Sequence, residues 1–451
     1  MKSEGPTKTT HLRFYSLVAV LLAVVALGAY AWILELQYGL AVTDMRDVVS
    51  WGLYISLFAW FVGISAGGLI VSSASAVFRI QQWQPIAKLA NLIASVAIAL
   101  AAFSIIPDLG QPGRILNLFV YPNLTSPLIW DITIIGTYLF ISLLELGLLF
   151  SADRAKGRGD ETKYLSRERV VRGVSFVALP VAVLTHSITA WIFGLQISRP
   201  LWNTALLAPL FIASAIVSGL ALVIFVSVLA NKYANLGVDR TVITGLARLL
   251  SVVILVDLFL LTSEYITAVW PATPAEISPL VVEFFGPYGW LAWTQWVFAI
   301  AAFAILVVPR WSRSSAAQFG ASVLLLLEVF FYRLELIIPG FVNPLVQYPP
   351  GTSVGTTTGG VSLSGIGVAV SNVNPSSPGF SFQLVGAYFP TWIEWSISIG
   401  IVAMAALLIT LGVRYLPVRP AETGQMSVPT TPDASATIIH RRPPSLDDPE
   451  V

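Results

Sequence analysis

The chain has 451 residues, 56% hydrophobic and 11% charged, with 25 Lys and Arg against 24 Asp and Glu. Soluble domains carry about a quarter charged residues, so an ordinary cytosolic enzyme and a disordered chain are excluded, and a net charge of +1 excludes a nucleic-acid binder. Cysteine is absent and histidine occurs only as His11, His186 and His440. A Cys-ligated zinc or iron–sulfur cluster is therefore excluded in this chain. No metal site and no haem are expected, since only His186 lies at membrane depth.

A bilayer core of about 30 Å needs roughly 20 apolar residues per helix. Ten stretches qualify, at 14–34, 51–78, 86–107, 127–150, 170–195, 204–230, 243–268, 290–308, 318–339 and 393–416. The runs are continuous rather than alternating, so the expected fold is an all-α integral membrane protein, not a barrel. The first run also resembles a signal peptide, with Ala29-Tyr30-Ala31 as a cleavage site, although its apolar core is long for that role.

Orientation is read from the basic residues. With the N-terminus inside, the inner segments hold twenty Lys and Arg, seven of them between 154 and 172, whereas the outer segments hold only Arg46, Arg114 and Arg199. Both termini are expected to be cytoplasmic, in a multi-pass protein of the cell membrane. The chain divides into a cytoplasmic N-terminus (1–13), a ten-helix membrane domain (14–418) and a Pro- and charge-rich tail (419–451) expected to be disordered. The basic segment 151–172 is expected as a solvated surface helix. The outer loop 340–390 has no charged residue, and its runs 361–370 and 380–385 are expected to pair as a β-hairpin; it is either a docking surface or simply a loop suited to external conditions.

Trp51 and Gly68 are 17 residues apart, as are Trp202 and Gly219. Each pair leads into a small-residue face, Gly63-Ile-Ser-Ala-Gly-Gly68 and Ala213-Ser-Ala-Ile-Val-Ser-Gly219, of the kind that lets helix backbones pack closely in lipid. Trp130 and Trp293 likewise begin the fourth and eighth spans. The implied architecture is two parallel four-helix repeats, spans two to five and six to nine, flanked by the first and tenth.

Ionisable groups within spans are costly and each is a functional candidate. Asp131 opens the fourth span, His186 lies in the fifth, and Asp257 and Glu264 are seven apart on one face of the seventh. Glu328 and Glu335 repeat that spacing on the ninth beside Arg333, and Glu394 opens the tenth; only Glu145 and Arg248 lie towards the inner side. Each has a plainer reading: a helix cap for Asp131, an ion pair for Glu335 with Arg333, solvation at the interface for Glu394, snorkelling for Glu145 and Arg248, and a bond to a neighbouring helix for His186. One histidine and several carboxylates in the outer half of a bundle suit the proton-coupled chemistry of a quinone head group. Such a chain stores no electrons, so a redox role demands a partner with metal centres over the outer surface.

The residues carry a family resemblance. Trp51-Gly-Leu-Tyr-Ile-Ser with Gly63–Gly68, Asp108-Leu-Gly-Gln-Pro-Gly-Arg114 and Thr125-Ser-Pro-Leu-Ile-Trp-Asp131 are followed by His186-Ser-Ile-Thr-Ala190, Arg199-Pro-Leu-Trp-Asn203, Ala208-Pro-Leu-Phe211 and Tyr388-Phe-Pro-Thr-Trp-Ile-Glu394. In this order, over roughly 50–420, the chain resembles the NrfD/polysulfide reductase membrane-subunit family in its ten-helix form, which includes membrane subunits of molybdopterin reductases and alternative complex III. The resemblance implies a haem-free anchor that reacts with quinone, menaquinone or similar, beneath a four-cluster ferredoxin-type iron–sulfur subunit. A molybdopterin catalytic subunit for sulfur compounds or related substrates is often attached. In the shorter polysulfide reductase form a His and a Tyr hold the quinone; here Ala59 stands near the first position, and His186 is the polar group closest to the second.

The expectation is therefore the quinone-binding subunit of a multi-subunit oxidoreductase for anaerobic respiration, not an enzyme alone. His186 would donate to a quinone oxygen, Asp131 and Asp257 would orient it or relay protons, and Trp202 and Asn203 would line the outer mouth. Glu264, Glu328 and Glu335 are candidates for a proton route, with Glu145 and Arg248 at its inner entrance. A secondary transporter binding a coupling cation on the outer carboxylates, and a structural anchor without a quinone site, are the rival readings.

Overall fold

The helix α2 (Leu53–Val77) is apolar on every side, and 89% of its most hydrophobic window is buried inside the protein. A helix of that kind belongs at the centre of an assembly. By contrast α1 (Lys8–Tyr38) also has a strongly apolar window, but only 11% of it is buried inside the protein. The computed structural model describes residues 8–46, 49–234, 236–271, 274–342, 353–356, 359–362 and 387–418.

The chain continues through α3 (Gln84–Asp108), the short α4 (Asn117–Val120), α5 (Pro127–Gly157), α6 (Glu161–Gly194), α7 (Leu207–Ala234) and α8 (Arg240–Val269). Then come the amphipathic α9 (Pro274–Phe285), α10 (Gly289–Val307), the single turn α11 (Pro309–Ser312), α12 (Ser315–Val342) and α13 (Trp392–Tyr415). Among the described residues nine helices are long and apolar enough to cross a membrane: α1, α2, α3, α5, α6, α7, α8, α10 and α13. The remaining expected span, 318–339, falls within α12, a helix of 28 residues that carries Glu328, Arg333 and Glu335.

Packing follows the small residues. In α2, Gly67 sits against Gly219 of α7, and Gly68 sits against the backbone of Ala90 in α3. Around this contact α2 packs on α3, α6, α7 and α12, while α7 packs on α6, α8 and α12. The sides close through α3 with α5, α5 with α6, α8 with α10 and α10 with α12. Gly28 of α1 meets Gly400 of α13, and that pair lies against α2 and α3 through α13.

Helix starts are set by local chemistry. Thr391 and Glu394 form a reciprocal capping box on α13, Asp160 accepts from the backbone N–H of Lys163 to open α6, and Asp239 accepts from that of Thr241 to open α8. The Lys163 side chain, together with its backbone N–H, holds the Asp160 carboxyl below the usual carboxylate range, and the Thr241 backbone N–H does the same for Asp239.

Two expectations need correction. The basic stretch 151–172 is not a separate surface helix: α5 runs on to Gly157 and α6 begins at Glu161, so the charges sit on the projecting ends of two long helices. The expected strand at 361–370 is replaced at its start, since Val361 and Ser362 pair with Val354 and Ser353 in a tight antiparallel hairpin, β1 (Ser353–Thr356) and β2 (Gly359–Ser362). The rest of that expected hairpin, 363–386, and the tail 419–451 lie outside the described residues.

The two ends of the helix assembly differ. One end carries the long connections, and there Trp51 and Trp202 each stand edge-on to both Phe193 and Phe341. Tyr388 receives the backbone N–H of Leu53 at 2.8 Å, donates to Glu394 at 2.5 Å, and exchanges two hydrogen bonds with Tyr288. The other end has short turns and basic residues, with Lys88 paired to Asp153 and Arg172 donating to the carbonyl of Ala76.

Candidate functional site

Three pairs of carboxylates recur at seven-residue spacing: Asp257 and Glu264 on α8, Glu276 and Glu283 on α9, and Glu328 and Glu335 on α12. Residues seven apart on a helix share a face, and the fold turns these faces towards one another. At the long-loop end, α8, α9, α12 and the segment 200–205 enclose a cleft of about 300 Å³. It is lined by Glu264, Glu276, Glu283 and Glu335, with Tyr265, Tyr332 and Asn203.

The cleft is organised by Tyr265. Its hydroxyl lies 2.7 Å from Oε1 of Glu283 and 3.1 Å from Oε1 of Glu335, and the two carboxyls are also within hydrogen-bonding reach of each other. Both glutamates are buried, at 3% and 2% exposure. Burial pushes the Glu283 carboxyl above its ordinary range, and the bonds from Glu335 and Tyr265 pull it partly back. The second oxygens, Oε2 of Glu276, Glu283 and Glu335, and the hydroxyl of Tyr332 have no partner among the described residues. Buried polar atoms are nearly always bonded, so four such atoms around one cleft make it the candidate site.

Glu264, Glu335 and Asn203, all expected from the sequence, are brought here. The other expected residues lie elsewhere. His186 lies between two backbone carbonyls, with Nδ1 2.9 Å from Ala182 O and Nε2 3.0 Å from Val62 O, and is 1% exposed. The ring bridges Ala182 O on α6 and Val62 O on α2, and its tautomer decides which carbonyl receives the N–H. Asp131 accepts from Thr189 Oγ1 at 2.6 Å, joining α5 to α6. Trp202 is not among the residues of this cleft: its indole donates to Leu336 O at 2.7 Å within the aromatic cluster, fixing the approach of segment 200–205 to α12. Its neighbour Asn203 does line the cleft, while its amide donates to Gly194 O.

Asp257 and Glu328 lie below the cleft on its own helices, beside Arg333. That arginine is not ion-paired with Glu335; it donates to Ser214 Oγ at 2.6 Å and stacks over the Phe211 ring. Glu145 and Arg248 stand in different surroundings. Glu145 is fully buried, receiving Ser72, Ser73 and Ser175, whereas Arg248 is exposed on α8. Among the described residues no group of three or more acidic or histidine side chains is arranged to hold a metal ion.

Tyr265, Glu276, Glu283 and Tyr332 were not anticipated. The signal for two of them was present, because Glu276 and Glu283 repeat the seven-residue spacing of the neighbouring spans within a connection that alternates apolar and polar faces.

The fold and its buried polar groups define a polytopic integral membrane protein. The chain belongs to the NrfD polysulphide reductase family, whose model matches residues 41–344. It is 35% identical over 90% of its length, and 91% of the relative's, to a provisionally named dimethyl sulfoxide reductase membrane subunit of Halobacterium salinarum. It is 28% identical to the Hdr-like menaquinol oxidoreductase integral membrane subunit of Archaeoglobus fulgidus, over 93% of this chain and 96% of that one. A selenate reductase subunit of Mesobacillus selenatarsenatis is 24% identical over 90% and 94%.

Proposed function

We propose that this chain is the quinone- and quinol-reactive membrane anchor of a multi-subunit oxidoreductase, with the head group entering the cleft between α8, α9 and α12. One observation carries the assignment: Glu283 and Glu335 share the Tyr265 hydroxyl, and each keeps an unpartnered oxygen on the cleft. A volume of about 300 Å³ suits a small-molecule site, and Leu201, Leu280 and Leu336 offer apolar contact to a ring. In the quinol-oxidising direction each hydroxyl proton passes to a carboxylate of the cleft, and two electrons leave to a redox partner. The name of the Archaeoglobus relative supports menaquinol as the quinol class. His186, Asp131 and Trp202 are assigned to holding the helices in place.

The remaining parts of the reading follow from charge and packing. The long-loop end is assigned to the outside and the basic short-turn end to the cytoplasm, by the preference of basic residues for the inner side. An iron–sulfur subunit of the four-cluster ferredoxin type would then cover the long-loop end, with a molybdopterin subunit attached to it. We read α2, α3, α5 and α6 as one parallel repeat and α7, α8, α10 and α12 as the second, flanked by α1 and α13. The meeting of α2 with α7 through glycines supports this, as do the matching contacts of α6 with α7 and α12 with α2.

The test is quinol oxidation by the purified complex carrying Glu283→Gln and Glu335→Gln together. Turnover should fall by about 10²-fold, the range for loss of a proton-transfer group, with assembly intact. Near-normal turnover in that double variant would take the cleft out of the chemistry. Purification of the chain without any iron-containing partner would defeat the anchor reading and favour a transporter.

A further inference from the structure

The two halves of the protein treat their buried polar groups differently. Around α2, α5 and α6 they have partners: Asp131 meets Thr189, His186 lies between two carbonyls, Tyr138 donates to Ser65 O at 2.6 Å, and Glu145 meets three serines. Around α8, α10 and α12 several do not. Asp257 Oδ1, Glu328 Oε2, Gln295 Oε1, Tyr332 OH, and Nε and Nη1 of Arg333 are all buried without a partner among the described residues. None of these residues is more than 6% exposed, and Arg333 is 0%.

These groups form a column. Glu328, Tyr332 and Glu335 follow one face of α12, and Asp257 lies seven residues before Glu264 on α8, so each acid of the lower level is about 10 Å below one of the cleft. Arg333 lies beside the lower acids. An unbonded amide or hydroxyl in an apolar setting costs several kcal/mol and an unpaired charge far more. With hydrocarbon outside the bundle, the remaining way to satisfy so many groups is internal water, which requires just such polar walls. Towards the short-turn end the next residues on α8, α12 and α10 include Leu250, Ile254, Leu325, Ala299 and Ala302, all buried and apolar.

We infer that α8, α10 and α12 enclose a hydrated chamber that opens only into the cleft and holds protons at Asp257 and Glu328, with Arg333 fixing their charge. It rests on the quinone reading of the cleft. A quinol gives up two protons as its two electrons leave to the redox partner, and the chamber offers a second carboxylate level to receive them. The apolar floor keeps them from the short-turn end.

The test uses the whole complex in lipid nanodiscs, with infrared spectra taken in H2O and in D2O. Protonated-carboxyl bands that vanish in Asp257→Asn and in Glu328→Gln should shift on transfer to D2O, because water reaches both groups. Bands that stay unshifted overturn the chamber and leave the cleft reading standing. The same two variants should each slow quinol oxidation roughly tenfold or more and raise its solvent deuterium isotope effect, with assembly retained. Unchanged turnover and isotope effect in both variants overturns the proton-holding role. Full turnover in the Glu283→Gln and Glu335→Gln double variant, by contrast, marks failure of the cleft reading itself.

Discussion

Gly67 and Gly219 touch backbone to backbone: a Cβ built on either would lie 2.2–2.3 Å from the Cα of the other. Two main chains approach this closely only where neither residue has a side chain. Gly67→Ala or Gly219→Ala should therefore push α2 and α7 apart, at a cost of about 1–3 kcal/mol for overpacking. A lowered thermal unfolding midpoint of the detergent-solubilised complex is the expected result, and Gly136→Ala, where a Cβ meets nothing within 4 Å, should leave it unchanged.

Tyr265 is the single donor shared by Glu283 and Glu335. Tyr265→Phe keeps the ring against Phe284 and Trp296 and removes only the hydroxyl. Loss of a hydrogen bond to a charged group, about 1.5–3 kcal/mol, should lower quinol turnover by one to two orders of magnitude. Steady-state assays at saturating quinol give the answer.

Glu283 supplies a pH signature. Its carboxyl titrates above the ordinary range because it is buried, so it becomes a proton acceptor only as pH rises. Quinol oxidation should climb through that range, and Glu283→Gln should flatten this limb of the profile, with Glu335, Glu264, Glu276 and Tyr265 still facing the site. The effect on stability has the opposite direction. The folded chain holds this proton more tightly than the unfolded one, so the group favours folding most at low pH and its contribution falls as pH rises through the raised value.

His186 gives a prediction that separates position from chemistry. With both ring nitrogens against backbone carbonyls, His186→Ala should destabilise the packing of α6 on α2 by roughly 1–2 kcal/mol, the scale of interhelical bonds in membranes. Activity per assembled complex should stay above half that of the unaltered protein. A loss of turnover without a loss of assembly would return the histidine to the mechanism.

Much of the membrane architecture was legible in one dimension because lipid imposes a one-dimensional rule. Every span must pair its own backbone and present about 20 apolar residues, and nine such helices are present among the described residues, with some ends displaced by two helical turns or more, as where α6 begins at Glu161. The small-residue face at Gly67 and Gly219 was also readable, since close packing demands small residues wherever it occurs. The basic stretch was misplaced because charge marks where a helix leaves the membrane, not where it ends, and α5 continues well past that point to Gly157.

The carboxylates themselves were visible in the sequence, and so was the seven-residue spacing that places them on shared faces. What composition and spacing could not say is which buried groups already have partners. His186 and Glu335 look alike as isolated polar residues in apolar runs. Only the assembled helices show that one is closed off by Ala182 and Val62, while the other meets Tyr265 and Glu283 across three elements. Membrane insertion is decided by hydrophobicity summed along a segment, which the sequence contains in full. Satisfaction of a hydrogen bond is decided by ångström-scale distances between residues far apart in the chain, and those arise only when the helices pack.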